Sequence, residues 1–157
     1  MADLFFYGTL LDTDIFEGIS GLNLSDVKTS KAIRMGFACE GMANWPYPML
    51  VEKQGAELTG LIFHDIQDPA LSRIKFYEGD EYELVEVDVH VDGKPAKARV
   101  FEGGAAQTSS GLNWSLANWQ MSEKAKTMKI INLMMPKFTT LSYDDFNRQW
   151  DALEEEL

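Results

Sequence analysis

The sequence predicts an α+β fold: a small mixed, mostly antiparallel sheet, closed or nearly closed, with two connecting helices and a C-terminal helical extension. Three observations predict it. Tyr82–Val91 alternates apolar and charged residues, meets the turn Asp92-Gly93, and returns through residues 95–101 as an antiparallel hairpin. Ahead of the hairpin, strand-like runs are interrupted by two helix starts that carry their own caps. From residue 112 onward the apolar spacing is helical.

In chain order, Asp3-Leu4-Phe5-Phe6-Tyr7 is a short aromatic-rich strand stopped by Gly8. Asp12 and Thr13 then cap a short helix. Residues 29–39 place Ile33, Met35, Phe37 and Cys39 at period two, a half-buried strand with Cys39 turned to the core. Residues 41–52 hold Trp45, Pro46, Tyr47 and Pro48 ahead of another strand, and the prolines confine this segment to an edge or a loop. Residues 57–63 form a further strand in which Gly60 marks a bulge or a close backbone approach. Asp68 as cap and Pro69 as first residue open a second helix over 69–77, with Leu71, Ile74, Phe76 and Tyr77 along its apolar stripe.

Residues 103–111 have linker composition, which puts the end of the sheet domain at 111 (domain 1–111) and makes 112–157 an extension packed on it. Within the extension, residues 122–135 carry Ala125, Met128, Ile131 and Met135 on one face. A last helix starts at Ser142, with Leu141 and Phe146 as a hydrophobic staple and Phe146, Trp150, Leu153 and Leu157 as its stripe. These faces pack on the core; an exposed aromatic–methionine face would instead mark a homodimer contact.

Composition narrows the function classes. The 157 residues hold 14 basic and 25 acidic side chains, a formal net charge of −11 with no basic patch, which argues against nucleic acid and anionic membranes as partners. No signal-like or membrane-length apolar run is visible, so the expected location is cytoplasmic. One cysteine excludes an internal disulfide, and Cys39 lacks a histidine partner in the pattern, so it is read as packing. His64 and His90 fall in strands, not at ligand spacing, so no metal and no cofactor are expected.

Glu78 stands out. It sits in Phe76-Tyr77-Glu78-Gly79-Asp80-Glu81-Tyr82, at a helix-to-strand junction with aromatic neighbours, and Gly79 sets its direction by a turn. A carboxylate partly withdrawn from water there has a raised pKa suited to proton transfer. The same residues also fit a solvated helix end within a loop charge cluster. Tyr7-Gly8-Thr9-Leu10, a strand running into a glycine and then a helix, can aim several backbone N–H groups at one anion, or can be a plain connection. Trp45 and Tyr47 either wall a small-molecule pocket or cover the end of the sheet.

Taken together and in order, Tyr7-Gly8-Thr9-Leu10, Tyr47-Pro48, Gly60-Leu61-Ile62-Phe63 and Tyr77-Glu78-Gly79-Asp80-Glu81-Tyr82 resemble the gamma-glutamylcyclotransferase-like superfamily. The likeness is to its small branch that includes gamma-glutamylamine cyclotransferase, and it covers residues 3–102. The resemblance implies a small β-barrel-like fold with a cavity at one end. It implies that Tyr7, Gly8, Thr9 and Leu10 hold a substrate carboxylate through backbone amides, that Glu78 is the catalytic acid/base, and that Tyr82 lines the pocket. Tyr47 is added as a pocket residue. The implied reaction, free of metal and cofactor, closes a γ-glutamyl compound to 5-oxoproline and releases an amine or amino acid. The competing expectation is a carboxylate-binding module on the same fold without turnover.

Overall fold

The computed structural model describes residues 1–79, 82–103 and 108–157. Six strands, β1 (Ala2–Phe6), β2 (Thr29–Met42), β3 (Pro48–Ile66), β4 (Tyr82–Val91), β5 (Lys94–Gly103) and β6 (Ser109–Asn113), form one sheet in the order β3-β1-β5-β4-β2-β6. All described pairings are antiparallel except β1 with β5. The sheet curls until β3, already paired with β1, also pairs along most of its length with β2. Two joints, Leu4 with Arg99 and Ile33 with His90, rest on single residue pairs, so it is a curled sheet rather than a barrel with a continuous ladder.

Five helices accompany it: α1 (Thr13–Ser20), α2 (Ala70–Glu78), α3 (Leu116–Ser122), α4 (Lys124–Met134) and α5 (Tyr143–Glu156). No described helix is long and apolar enough to cross a membrane. The hairpin follows the sequence residue for residue, Val91 facing Lys94 across a turn in which Asp92 and Gly93 both have positive φ.

The apolar run Leu4-Phe5-Phe6 of β1 is explained by burial on both faces. Leu4 and Phe6 join the core between sheet and helices, while Phe5 joins the second cluster enclosed by the sheet with Ile62, Val89 and Val100. Trp119, Ile130, Ile131, Met134 and Phe146 of the extension are buried in the first core beside α1 and β1. The extension completes that core rather than decorating it.

Several expectations are corrected. Residues 48–66 are one long strand, not two, because residues 48–52 and 57–63 both pair with β2. Along β2, Ala32 and Arg34 are buried and Met35 is 48% exposed, the reverse of the expected face. A register shift between Met35 and Phe37 then swaps the parity, so Phe37 and Cys39 do pack inward against the second cluster. Ser109 to Asn113, read as linker up to residue 111, is strand β6 on the edge of β2. The rest of that linker, residues 104–107, lies outside the described residues.

The helical extension is also more divided than its spacing suggests: α3 and α4 meet at Glu123, and Ala125 is exposed while Thr127, Ile130 and Met134 turn inward. The first residue of α2 is Ala70 with Pro69 as its cap, and Asp68 Oδ1 accepts from Ser72 N at 3.0 Å one turn in. The helix therefore starts one residue late and ends one residue late, taking in Glu78.

Two clamps fix the helices that carry the site. Arg73 of α2 donates to the carbonyls of Ile19 (2.6 Å) and Gly18 (3.2 Å), the open end of α1. At the other end of α1, buried Asp12 caps Ile15 N at 3.0 Å and also accepts from Gln120 Nε2 at 2.7 Å and Lys124 at 2.9 Å. Sheet, α1, α2 and the extension are thus tied into one body.

Candidate active site

A cavity of about 710 Å³ opens where the end of β1, the end of α2 and one face of α5 meet. Tyr7, Gly8, Thr9, Leu10, Tyr47, Glu78 and Tyr82, every site residue singled out from the sequence, line it. Trp45 lies on its rim, 49% exposed.

After β1 the chain turns at Gly8 into a single 3-10 turn, Thr9–Leu11. The amides of Leu11 and Asp12 are taken by the carbonyls of Gly8 (3.1 Å) and Thr9 (3.0 Å). No acceptor among the described residues takes the amides of Gly8, Thr9 and Leu10. Leu10 lines the cavity and is buried in the first core. Pro48 packs directly on Gly8, where an added Cβ would lie 2.8 Å from the proline ring. Three amides left without an acceptor among the described residues, at the head of a turn, can receive an anion such as a carboxylate.

Thr9 ties this turn to α2: its Oγ1 lies 2.8 Å from the Tyr77 hydroxyl. The next residue, Glu78, ends α2. Gly79 follows with φ +114, which a side chain rarely adopts, and an added Cβ there would lie 2.9 Å from the Tyr143 hydroxyl. Glycine is therefore required at 79 on both counts, and the turn it makes sends the chain into β4. Asp80 and Glu81 lie outside the described residues.

Glu78 is half-buried against the cavity. Burial pushes its carboxyl up from the ordinary range to about 7. Its place at a helix C-terminus, where the carbonyls point their negative ends, works in the same direction. Tyr7 is its neighbour: burial, and then the charge of Glu78, raise the phenol well above its usual value, so Tyr7 stays protonated. A carboxyl that titrates near neutrality can take a proton and give it back.

The helix α5 forms the remaining wall, and none of its residues was singled out for the site from the sequence. Trp150 meets the Tyr77 ring edge-on with centroids 5.6 Å apart. Trp150 Nε1 donates to Glu154 Oε1 at 3.0 Å, and the Tyr47 hydroxyl donates to the same oxygen. Burial first, and the Glu154 charge after it, keep the Tyr47 phenol protonated. The signal was present: residues 143, 147, 151 and 154 lie beside the apolar stripe at helical spacing and face the cavity.

Cys39 packs in the second cluster, where burial raises its thiol to about 12, so it stays protonated. His64 bonds Ser30 at 2.8 Å, and no three His, Cys, Asp or Glu side chains among the described residues group closely enough to hold a metal ion.

A family model described as gamma-glutamyl cyclotransferase, AIG2-like, matches residues 4–121. No curated protein matches the sequence. Among solved structures, an Arabidopsis thaliana protein superposes with TM-score 0.58 at 19% identity, over 88% of this chain and 84% of its own. An uncharacterized Homo sapiens protein gives TM-score 0.58 at 16% identity, over 94% and 85%. A structure titled gamma-glutamyl cyclotransferase gives TM-score 0.55 at 17% identity, over 69% of each chain. At such identities the likeness to these three is one of fold.

Proposed function

The chain belongs to the gamma-glutamyl cyclotransferase, AIG2-like family, and from that premise we propose that it cyclises a γ-glutamyl compound to 5-oxoproline. The observation that carries this reading is the joint presence, in one cavity, of a carboxyl raised to about 7 and a turn with three unclaimed amides.

In this reading the amides of Gly8, Thr9 and Leu10 receive the substrate's α-carboxylate, beside the hydroxyl of Thr9. The substrate's α-ammonium then lies toward Glu78, which as carboxylate takes one of its protons. The freed amine attacks the γ-carbonyl, a new C–N bond closes the five-membered lactam, and the original amide C–N bond breaks. Glu78 returns its proton to the departing nitrogen, the ring nitrogen then gives up its second surplus proton by the same carboxylate, and 5-oxoproline and an alkylammonium leave with atoms and charge in balance. No oxidant, metal or second substrate enters. Fixing amine and carbonyl against each other contributes several kcal/mol through proximity. Tyr7 and Tyr82 shield the reacting centre, and Tyr47 shapes the far wall.

The test offers wild-type and Glu78→Gln protein a panel of γ-glutamyl amides and dipeptides and reads 5-oxoproline by mass spectrometry. Product from the wild type and not from the variant is expected. Equal product from both would sink the assigned role of Glu78. Binding without product in either would favour a carboxylate-binding module on this fold.

A further inference from the structure

The C-terminal helix α5 begins against the end of α2 that carries Glu78. Phe76 of α2 is the joint: the rings of Tyr143 and Phe146 both pack on it, with centroids 5.6 Å and 5.5 Å away, and Phe146 is buried in the first core. Ser142 accepts from the amide of Asp145 at 3.2 Å and so caps α5, which makes Tyr143 its first residue. Core packing on one side and the cap on the other fix where Tyr143 stands. It lines the cavity with Glu78 and Gly79, and it lies beyond residues 4–121, the span that the family model matches.

The Tyr143 hydroxyl rests over Gly79. A Cβ at position 79 would lie 2.9 Å from it and 3.8 Å from the Tyr82 ring, so the phenol fills the space that the absent side chain leaves. Two backbone bonds bracket this turn, Gly79 N to the Lys75 carbonyl at 3.0 Å and Tyr82 N to the Gly79 carbonyl at 3.2 Å. Glycine itself adds no restraint, since it takes many backbone conformations at little cost. A rigid aromatic side chain packed on it supplies the restraint, and Glu78 is the residue next to it. Two tyrosines therefore brace two parts of the site. Tyr77 ties Thr9 and the amide turn to α2 at 2.8 Å, and Tyr143 holds the turn that directs Glu78.

Tyr143 is also half-buried, at the boundary between cavity and solvent. Burial is what raises the Glu78 carboxyl. The other titratable groups lining the cavity, among the described residues, are Tyr7, Tyr47, Tyr77 and Tyr82 around it and Asp151 and Glu154 on α5. A substitution at 143 leaves all of these in place, so it changes the water around Glu78 rather than the charge. Resting on the cyclotransferase reading, we propose that Tyr143 is a positioning residue for the acid/base group: it closes the turn at Gly79, holds the Glu78 carboxyl in the cavity and keeps water from one side of it.

The experiment compares the wild type with Tyr143→Leu, which keeps an apolar side chain against Phe76 but does not reach Gly79, and with Tyr143→Phe, which restores the ring. In 5-oxoproline release, Tyr143→Leu should lower kcat about 30-fold with KM within about two-fold, because the carboxylate turn is held elsewhere. Tyr143→Phe should regain most of that loss. This split is the reverse of the one expected for Tyr77→Phe. A second readout, independent of turnover, follows the Glu78 carboxyl by carbon NMR, its signal assigned by its absence from Glu78→Gln. Its midpoint, about 7 in the wild type, should fall by about one pH unit in Tyr143→Leu. A folded Tyr143→Leu with unchanged kcat, a KM effect larger than the kcat effect, or an unmoved midpoint overturns the proposal. Should Tyr143→Leu not fold, Tyr143→Phe decides: a kcat about three-fold lower supports the proposal and an unchanged kcat overturns it. Absence of 5-oxoproline from the wild type would contradict the reaction, and the Glu78 midpoint alone would then decide the role of Tyr143.

Discussion

The cavity has two walls built in opposite ways. On the side of β1 and α2, backbone does the work: a turn whose first amides have no acceptor among the described residues, and glycines where no side chain fits. On the side of α5, side chains do it: Trp150 and Glu154 on a helix, met by Tyr47 from the loop before β3. A wall of backbone can change little without losing its shape. A wall of side chains on a fixed helix can change chemistry at small cost in stability.

That contrast can be broken at several points. The largest effect belongs to Glu78→Gln, which keeps size and loses the titrating proton. Turnover should fall by about 10³-fold with melting behaviour preserved, checked by 5-oxoproline release and thermal unfolding. A fall below ten-fold would move the acid/base role elsewhere.

Next comes Gly60→Ala. Its Cβ would lie 2.3 Å from the Phe6 carbonyl and 2.6 Å from the Phe5 ring, at the strand crossing just before the amide turn. Destabilisation of about 3 kcal/mol is expected in urea unfolding, since backbone cannot yield as a side-chain tip can. On the α5 side, Asp151→Asn should cost under about 0.5 kcal/mol, and a loss as large as that of Gly60→Ala would erase the distinction between the walls.

Smaller, and opposite in sign, is the pH linkage of Glu78. Its pKa is about 7 folded against 4.5 unfolded, so the folded state binds the proton more tightly. Stability that is fully present below pH 4.5 is lost as pH rises through about 7. Glu78→Gln should therefore unfold at higher denaturant than wild type at alkaline pH and alongside it at acid pH. Partial screening from the cavity side brings the gain to about 2 kcal/mol or less. Last, Tyr77→Phe removes the bond to Thr9 and should cost about 1 kcal/mol, with a rise in KM exceeding the fall in kcat because it loosens the carboxylate turn.

What the sequence revealed follows from the same contrast. The backbone wall was legible because its constraints are local: a strand stopped by Gly8, and a helix stopped at Glu78-Gly79, announce themselves in consecutive residues. The hairpin Tyr82–Val91 to Lys94–Gly103 was legible for that reason too. Trp150 and Glu154 were not, because their role depends on where α5 docks, and docking is set by Phe146 entering the core far from the cavity residues in sequence. The face of β2 was misread at Met35 because a register shift leaves no mark in an alternation pattern. The strand at Ser109 to Asn113 was missed because its composition is that of a linker, and only pairing with the exposed edge of β2 makes it a strand.

The most direct test of the central claim follows 5-oxoproline formation from a γ-glutamyl amide by the wild-type protein across pH. The account predicts that kcat/KM rises with pH on a limb whose midpoint lies near 7, the pKa of Glu78, and that this limb is absent from any residual rate of Glu78→Gln. No product from folded protein, or a rate that is flat through neutral pH, would contradict it.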